Sequence, residues 1–488
     1  MMDWIEKHIQ TLCHPSALTE AQARMLFLRV LRVELDERVR ANRTYRLAYL
    51  YALNLLTRMF PYTQFSVEEA EPLLILPWGT GTPLAAPGQP EQTLVFGRSG
   101  TKTASGLLTA NCHDWSVYID SPVEVDPAEP WNPVLALVTA CYAAARAAQA
   151  LLGNTIDQES WRPFSILDFA QGRVKFDWSA TLALGEAHLA GVGAIGSAFL
   201  YALGAHGTAE GTLVLADHDK VDIGNLGRYT LFDLNDVGTY KTLAAKERLR
   251  KFELRVKVDP IEKRFEQHFR DAHAENNSFR VAKLISAPDR RATRRTLQHL
   301  LPRALWDAST GPNQVVVHSN QFDPAYACVE CIYPETPDEQ AHARHVAQTL
   351  NVELGRLLSG ELIGEVDAAR IRERYPHLQL DALVGKDFYS IFGLLCSAGE
   401  LRTENGVVLA PFSFVSGLAG VLLYFELVKS HFPEVFAPFQ QHNYFQVNPM
   451  RMPNPEFREL RPSRKECMCQ KEVVRRVFQR VWSAQNDA

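Results

Sequence analysis

Gly191, Gly193 and Gly196 spell a G-x-G-x-x-G loop within HLAGVGAIGSAFLYALGAHG. Glycines at this spacing let backbone N–H groups at a helix N-terminus face an anion, although small residues also occur wherever a helix packs tightly on a strand. Here the loop follows the apolar run TLALGEAHLA and precedes a good helix, which favours a bound nucleotide. The next apolar run, GTLVLADHD, ends at Asp217, a carboxylate of the kind that binds ribose hydroxyls. Up to that residue NAD and ATP fit equally. Asn225, Arg228 and Lys241 follow just past the strand end, and two fixed cations there suit a polyphosphate and are superfluous for a dinucleotide. A further run, FRVAKLISA, leads to Pro288, Asp289 and RRATR, placing a second carboxylate at the sheet edge where open α/β sheets bind ligands and where magnesium could be held. Singly, each of these reads as a solvated loop residue. Together they fall at the ends of consecutive predicted strands.

The cysteines suggest two further kinds of chemistry. Cys328-x-x-Cys331 and Cys467-x-Cys469 supply four soft thiolates suited to a tetrahedral zinc, which would clip the C-terminal segment to the sheet domain. Cys396, in YSIFGLLCSAGEL, reads either as a small buried hydrophobe or as a nucleophile. Cys112, beside His113 in TANCHDW, is its rival; Cys141 lies in an apolar helix and reads as core, and Cys13 has no informative context.

The elements that must carry these residues fall into four regions, without repeats or low-complexity segments. Residues 1–155 open on a helix begun by a Thr19/Gln22 capping box, continue through strand candidates PLLILPW, TLVFG and WSVYID, and close on an apolar helix between Asn132–Pro133 and Gly153. Residues 160–334 alternate strand and helix patterns and read as a parallel α/β sheet, completed by 396–470. Between them, 335–395 is charged and helical, an insertion, and 471–488 is a basic C-terminal helix. Ser416, Gly417 and Gly420 would let the apolar helix that carries them pack closely on the sheet. The expected fold is therefore α/β: a Rossmann-like, mostly parallel sheet with a helical insertion and an additional α+β N-terminal region.

Composition excludes several functions. The 488 residues, 46% hydrophobic and 22% charged with a formal charge of −5, describe globular protein and argue against a generic nucleic-acid binder. No basic-then-apolar leader opens the sequence and its apolar stretches are interrupted before about 20 residues, so no membrane is expected and a cytoplasmic location is.

With these residues in place, the sequence resembles the ubiquitin-activating-type (ThiF/MoeB-like) adenylyltransferases, which include the activating enzymes of the molybdopterin and thiamine sulfur carriers. Gly191-x-Gly193-x-x-Gly196, Asp217, Asn225-Leu226-x-Arg228, Val237-Gly238-x-x-Lys241 and Asp289-x4-Arg294 stand in the family's order and spacing, over roughly residues 180–470. The resemblance implies that Asp217 holds the ribose, that Asn225, Arg228 and Lys241 hold phosphates, and that Asp289 serves magnesium and ATP. It also implies the zinc site and places Cys396 near the position of the cysteine that captures the activated carrier as a thioester. Gly224 and Tyr229 depart from the family's Ser and Gln, and Arg173 is the candidate for an arginine the family carries before its first strand. The implied reaction adenylates the C-terminal carboxylate of a ubiquitin-like protein and passes it through a thioester to a conjugating enzyme, with residues 1–155 as a degenerate adenylation-like half or a dimerisation element, a homodimer being one option. The alternatives are a sulfur-carrier adenylyltransferase without thioester transfer, a scaffold with a degenerate nucleotide site, and an NAD-dependent oxidoreductase.

Overall fold

In the computed structural model, which describes residues 5, 8–9, 19–67, 72–79, 88–99, 106–153, 161–252, 254–311, 313–358, 361–397 and 411–483, the N-terminal region builds a sheet of its own. The alternating LRVEL gives β1 (Leu31–Leu35), and Asn42, accepting from the N–H groups of Thr44 and Tyr45, starts helix α1 (Arg43–Thr57). Strands β2 (Thr63–Gln64), β3 (Gln92–Phe96), β4 (Leu107–His113) and β5 (Ser116–Ile119) precede the buried helix α2 (Pro133–Leu152), and β6 (Phe164–Ser165) closes the sheet in the order β2-β1-β3-β4-β5-β6. The first four of these neighbours are parallel and the last two pairings antiparallel. Both expected caps are present: the Thr19/Gln22 box on helix Glu20–Phe27, and Asn132 with Pro133 on α2, which stops at Gly153 with φ +68°.

TLVFG and WSVYID form strands as expected, but PLLILPW does not. Prolines at both its ends deny it a ladder. Its carbonyls go elsewhere: Leu73 accepts from the Tyr201 hydroxyl, Ile75 from Arg58, and Pro77 from the Leu234 N–H.

The second sheet contains β7 (Leu182–Ala190), β8 (Ala209–Ala216), β9 (Arg255–Ile261), β10 (Lys283–Ser286), β11 (Ala304–Thr310), β12 (Val315–Asn320), β13 (Tyr444–Val447) and β14 (Arg458–Glu459), in the order β14-β13-β12-β11-β10-β7-β8-β9. From β9 to β11 the strands are parallel, and β12 to β14 are added antiparallel. The chain runs from β7 outward to β8 and β9, then returns to lay β10 on β7's other side. That reversal opens a crevice at the carboxyl end of β7, where open α/β sheets take ligands. Helices α3 (Ala194–His206), α4 (Lys241–Arg250), α5 (Arg291–His299), α6 (Ser413–His431) and α7 (Glu472–Ser483) belong to this half.

One further expectation is corrected here. Helices α2 and α6 are long and apolar enough to cross a membrane by length and composition, contrary to the reading of interrupted apolar stretches, and both are almost wholly buried in the protein. They are core helices because each is covered on all sides. The small face of α6 also lies on helices as well as facing the sheet: a Cβ at Gly420 would come within 2.5 Å of the Ile195 carbonyl on α3, and one at Gly417 within 3.1 Å of Tyr51 and Leu55 on α1.

The chain divides into two compact units. Met1–Ile332 with Leu409–Ala488 is one, and Tyr333–Val408 is the other, a helical unit with its own core of residues such as Val346, Leu350, Ile371 and Phe388.

Candidate nucleotide site and cysteine cluster

Each glycine of the loop has a different reason to be glycine. Gly191 leaves β7 at φ +94°, and a Cβ there would meet the Ala287 carbonyl at 2.8 Å; a Cβ at Gly196 would lie 2.1 Å from the Gly191 carbonyl. Gly193 is the unobstructed one, with nothing nearer than the Tyr229 hydroxyl at 3.6 Å, and it begins α3 without a side-chain cap. The open space thus lies where the helix presents N–H groups with no intrahelical partner.

Asp217 ties this loop to the end of β8. Its buried carboxylate accepts the Val192 N–H at 2.8 Å through Oδ2 and the Asp219 N–H at 2.9 Å through Oδ1. Lys241, buried at the first position of α4, places Nζ 2.8 Å from Asp219 Oδ2, 3.7 Å from Asp217 Oδ1 and 5.4 Å from the centre of the Tyr229 ring. Burial opposes its charge, but Tyr229, Asp217 and Asp219 outweigh burial and hold the ammonium above the ordinary lysine range. Asp219 and Tyr229 are therefore site residues that the sequence reading left out; the signal for the first was a second carboxylate two positions on in ADHD.

Asn225 shapes the following turn. Its side chain closes a capping box on Asp222, and its carbonyl accepts the N–H groups of Arg228 and Tyr229, each at 3.0 Å. The Arg228 Nε is buried and has no hydrogen-bond partner among the described residues. Burial lowers the guanidinium's pKa, while the charges of Tyr229 and Asp289 act to raise it. Asp289 is exposed in the loop after β10. That loop is held by Arg294 of α5, which donates to the carbonyls of Pro288 and Ala308 and to Asp307 Oδ1.

The predicted residues thus divide. Asp217 accepts the Val192 N–H between Gly191 and Gly193 and lies 3.7 Å from Lys241 Nζ, Asn225 and Arg228 form the turn that follows, and the charge of Asp289 acts on Arg228. The donor set fits a magnesium nucleotide: an orphaned buried guanidinium N–H and an uncapped helix start for phosphate, and an exposed carboxylate for the cation. Arg173 lies elsewhere, paired with Asp114 at 2.9 Å in the β4–β5 turn.

The thiols also separate. Cys112 is fully buried in β4, and burial pushes its thiol well above the usual range, so it is no resting thiolate. Cys141 is core in α2. Cys396 sits on helix Phe388–Ser397 of the Tyr333–Val408 unit, with its side chain outside the described residues, as is Cys13. Cys328, Cys331, Cys467 and Cys469 converge: the Sγ separations are 3.5 Å (Cys328–Cys467), 3.6 Å (Cys331–Cys469) and 3.9 Å (Cys328–Cys331). A tetrahedron with Zn–S bonds of about 2.3 Å has edges of about 3.8 Å, so the four thiols fit a zinc ion. The Arg464 N–H donates to Cys331 Sγ, the kind of contact that stabilises a bound thiolate.

A family model described as the ThiF family matches residues 179–471. The uncharacterized protein y4jF of Sinorhizobium fredii is 29% identical over 259 residues, covering 50% of this chain and 49% of that protein, so the chain spans about half the length of the curated relative it matches. Among solved structures, similarity extends to E. coli MccB with MccA-N7isoASN (15% identity, 59% of this chain and 68% of that one, TM-score 0.36). It extends also to PaaA (16% identity, 56% and 71%, TM-score 0.31).

Proposed function

Because the chain belongs to the ThiF family, we propose that it is an adenylyltransferase that activates the C-terminal carboxylate of a ubiquitin-like protein in the crevice beside Gly191. The observation that supports this reading best is the buried Arg228 Nε, unpartnered among the described residues and within the influence of the Asp289 charge, a donor suited to a polyphosphate. Asp217 binds the ribose, Asn225, Arg228 and Lys241 bind phosphates, and Asp289 holds magnesium, which supplies charge neutralisation at the phosphates. The carboxylate oxygen attacks the α-phosphorus of ATP, a P–O bond forms, and the bond to pyrophosphate breaks. A carboxylate is a weak nucleophile, so the residues act by positioning and by stabilising charge. Asp219 keeps Lys241 aimed and charged, and Tyr229 lies beneath it.

In the same reading, Cys396 takes the acyl group from the adenylate as a thioester, releasing AMP, and a conjugating enzyme accepts it by thiol exchange. The four-cysteine cluster holds structural zinc. The N-terminal region is a degenerate adenylation-like half: its sheet, like the second, has a parallel core extended on one side by antiparallel strands.

Modifier-dependent ATP–pyrophosphate exchange tests the central claim. Asp289→Ala should abolish exchange, and a variant that exchanges normally would overturn the assignment. If exchange is present but no thiol-sensitive adduct ever forms with the true modifier, the sulfur-carrier reading replaces the thioester one.

A further inference from the structure

The turn that carries Arg228 is held from two sides, by Asn225 within it and by donors from outside its own half of the protein. Four of its backbone carbonyls accept from side chains of the N-terminal region. His8 Nε2 lies 2.8 Å from the Gly227 carbonyl, and Asn54 Nδ2 donates to Thr230 at 2.8 Å. Arg58 donates through Nη1 to Leu226 at 2.5 Å and through Nη2 to Phe232 at 3.0 Å, so a single guanidinium straddles Arg228. Its remaining bonds run to Ile75, in the PLLILPW strap, at 3.1 Å and from Nε to Asn54 Oδ1 at 2.8 Å.

A fully buried arginine is costly to keep, and burial pulls the pKa of Arg58 down to about 9. The nearest acidic groups that act on it, Asp233 and Asp236, are themselves paired with Arg248 at the far end of the segment. What Arg58 does hold is peptide carbonyls, in a planar fork that a lysine could not reproduce. The same segment carries Arg228, whose Nε is buried without a partner among the described residues. An unsatisfied donor persists only where the surrounding structure prevents the side chain from relaxing.

From these contacts we infer that Arg58 is a positioning residue for phosphate binding: it fixes the Leu226–Phe232 backbone so that Arg228 is presented unpaired to the nucleotide. The inference rests on the reading of Arg228 as a phosphate ligand. The N-terminal region is then part of the active site without touching the substrate.

Calorimetric titration of the full chain with Mg·ATP, and separately with adenosine, tests this. Arg58→Met should weaken Mg·ATP about tenfold or more, the scale of a lost charged hydrogen bond, while adenosine changes by less than about twofold. The double variant Arg58→Met/Arg228→Ala should bind Mg·ATP no more weakly than Arg228→Ala alone, since both act through one contact. Hydrogen exchange should quicken at residues 225–232 while the amides of β7, β8 and β10 keep their protection. Normal Mg·ATP binding by Arg58→Met, a parallel loss of adenosine, or additive losses would each overturn the inference. Should Arg58→Met fail to fold, His8→Phe keeps an aromatic ring against Phe412 and removes the Gly227 contact. It should weaken Mg·ATP by about threefold, a smaller effect of the same origin, and unchanged binding would count against the claim. Undiminished Mg·ATP binding by Arg228→Ala would instead sink the phosphate reading itself, and the exchange rates at 225–232 would then decide the positioning role alone.

Discussion

Of the two thiols proposed as nucleophile, burial counts against Cys112. Cys112 is sealed within the N-terminal sheet, where desolvation and nearby Glu129 both disfavour a thiolate. Cys112→Ala should therefore leave pyrophosphate exchange and the modifier adduct intact, costing about 1 kcal/mol of stability for the small volume removed. Cys396→Ala should preserve exchange and lose the adduct, because adenylation precedes thiol attack; gel analysis with and without reductant reads both. An adduct that survives Cys396→Ala and disappears in Cys112→Ala would place the nucleophile in the N-terminal region. At this scale the sequence was informative where a motif fixes the spacing: Asp217 and Lys241 lie 3.7 Å apart as the motif order implied. It assigned Asp219 and Tyr229 no site role and was silent on Arg58, whose role comes from contacts between segments far apart in the chain, and no local pattern records which carbonyls a buried guanidinium will reach.

Helix packing sets the tolerance of each glycine. Gly196→Ala would drive a methyl to 2.1 Å from the Gly191 carbonyl, and Gly420→Ala to 2.5 Å from the Ile195 carbonyl, both rigid backbone. Each should destabilise the protein by about 1–3 kcal/mol or more, visible as a lower denaturation midpoint. Gly193→Ala is the contrasting case, since its methyl would make only an ordinary contact with the Tyr229 hydroxyl at 3.6 Å. It should leave stability nearly unchanged while impairing Mg·ATP binding, and a loss of stability with full binding would contradict the position assigned to the phosphates. The four-cysteine cluster belongs to the same scale: it joins the segment after β12 to the start of α7, whose Phe478 stacks on Phe322 with ring centres 4.5 Å apart. Prolonged chelation, or Cys469→Ser, should lower the midpoint and loosen the C-terminal helix to proteolysis, with one zinc per chain in the untreated protein. Zinc-free protein of undiminished stability would end that reading. The β7–α3–β8 unit was readable from apolar runs punctuated by glycine. PLLILPW was not, because an apolar segment used as a strap and one used as a strand share the same composition and differ only in where their carbonyls are satisfied.

The two halves are joined through their longest helices and through single buried bonds. Ser413 at the start of α6 donates to the Leu55 carbonyl of α1 at 2.9 Å, and Gln149 of α2 donates to the Met450 carbonyl at 2.7 Å. Tyr51 and Tyr201 pack with ring centres 4.6 Å apart across the same boundary. Sequence periodicity showed that α2 had to be buried, but not against what, since a helix apolar on every side carries no information about its neighbours. The consequence is a protein whose catalytic sheet cannot be cut free. Removing residues 1–155 would bare the α3 and α6 faces that α1 and α2 cover, a large apolar patch of the kind that drives aggregation. It would also release the Leu226, Gly227, Thr230 and Phe232 carbonyls from their donors. A fragment beginning near residue 155 should therefore accumulate as insoluble protein, and any portion kept in solution should fail to bind Mg·ATP even though every residue proposed to contact the nucleotide remains. Co-expressing residues 1–155 as a separate chain should restore solubility and binding together, because the missing contacts are noncovalent. Recovery of a monodisperse fragment that binds Mg·ATP like the full chain would show that the N-terminal region is dispensable to the site.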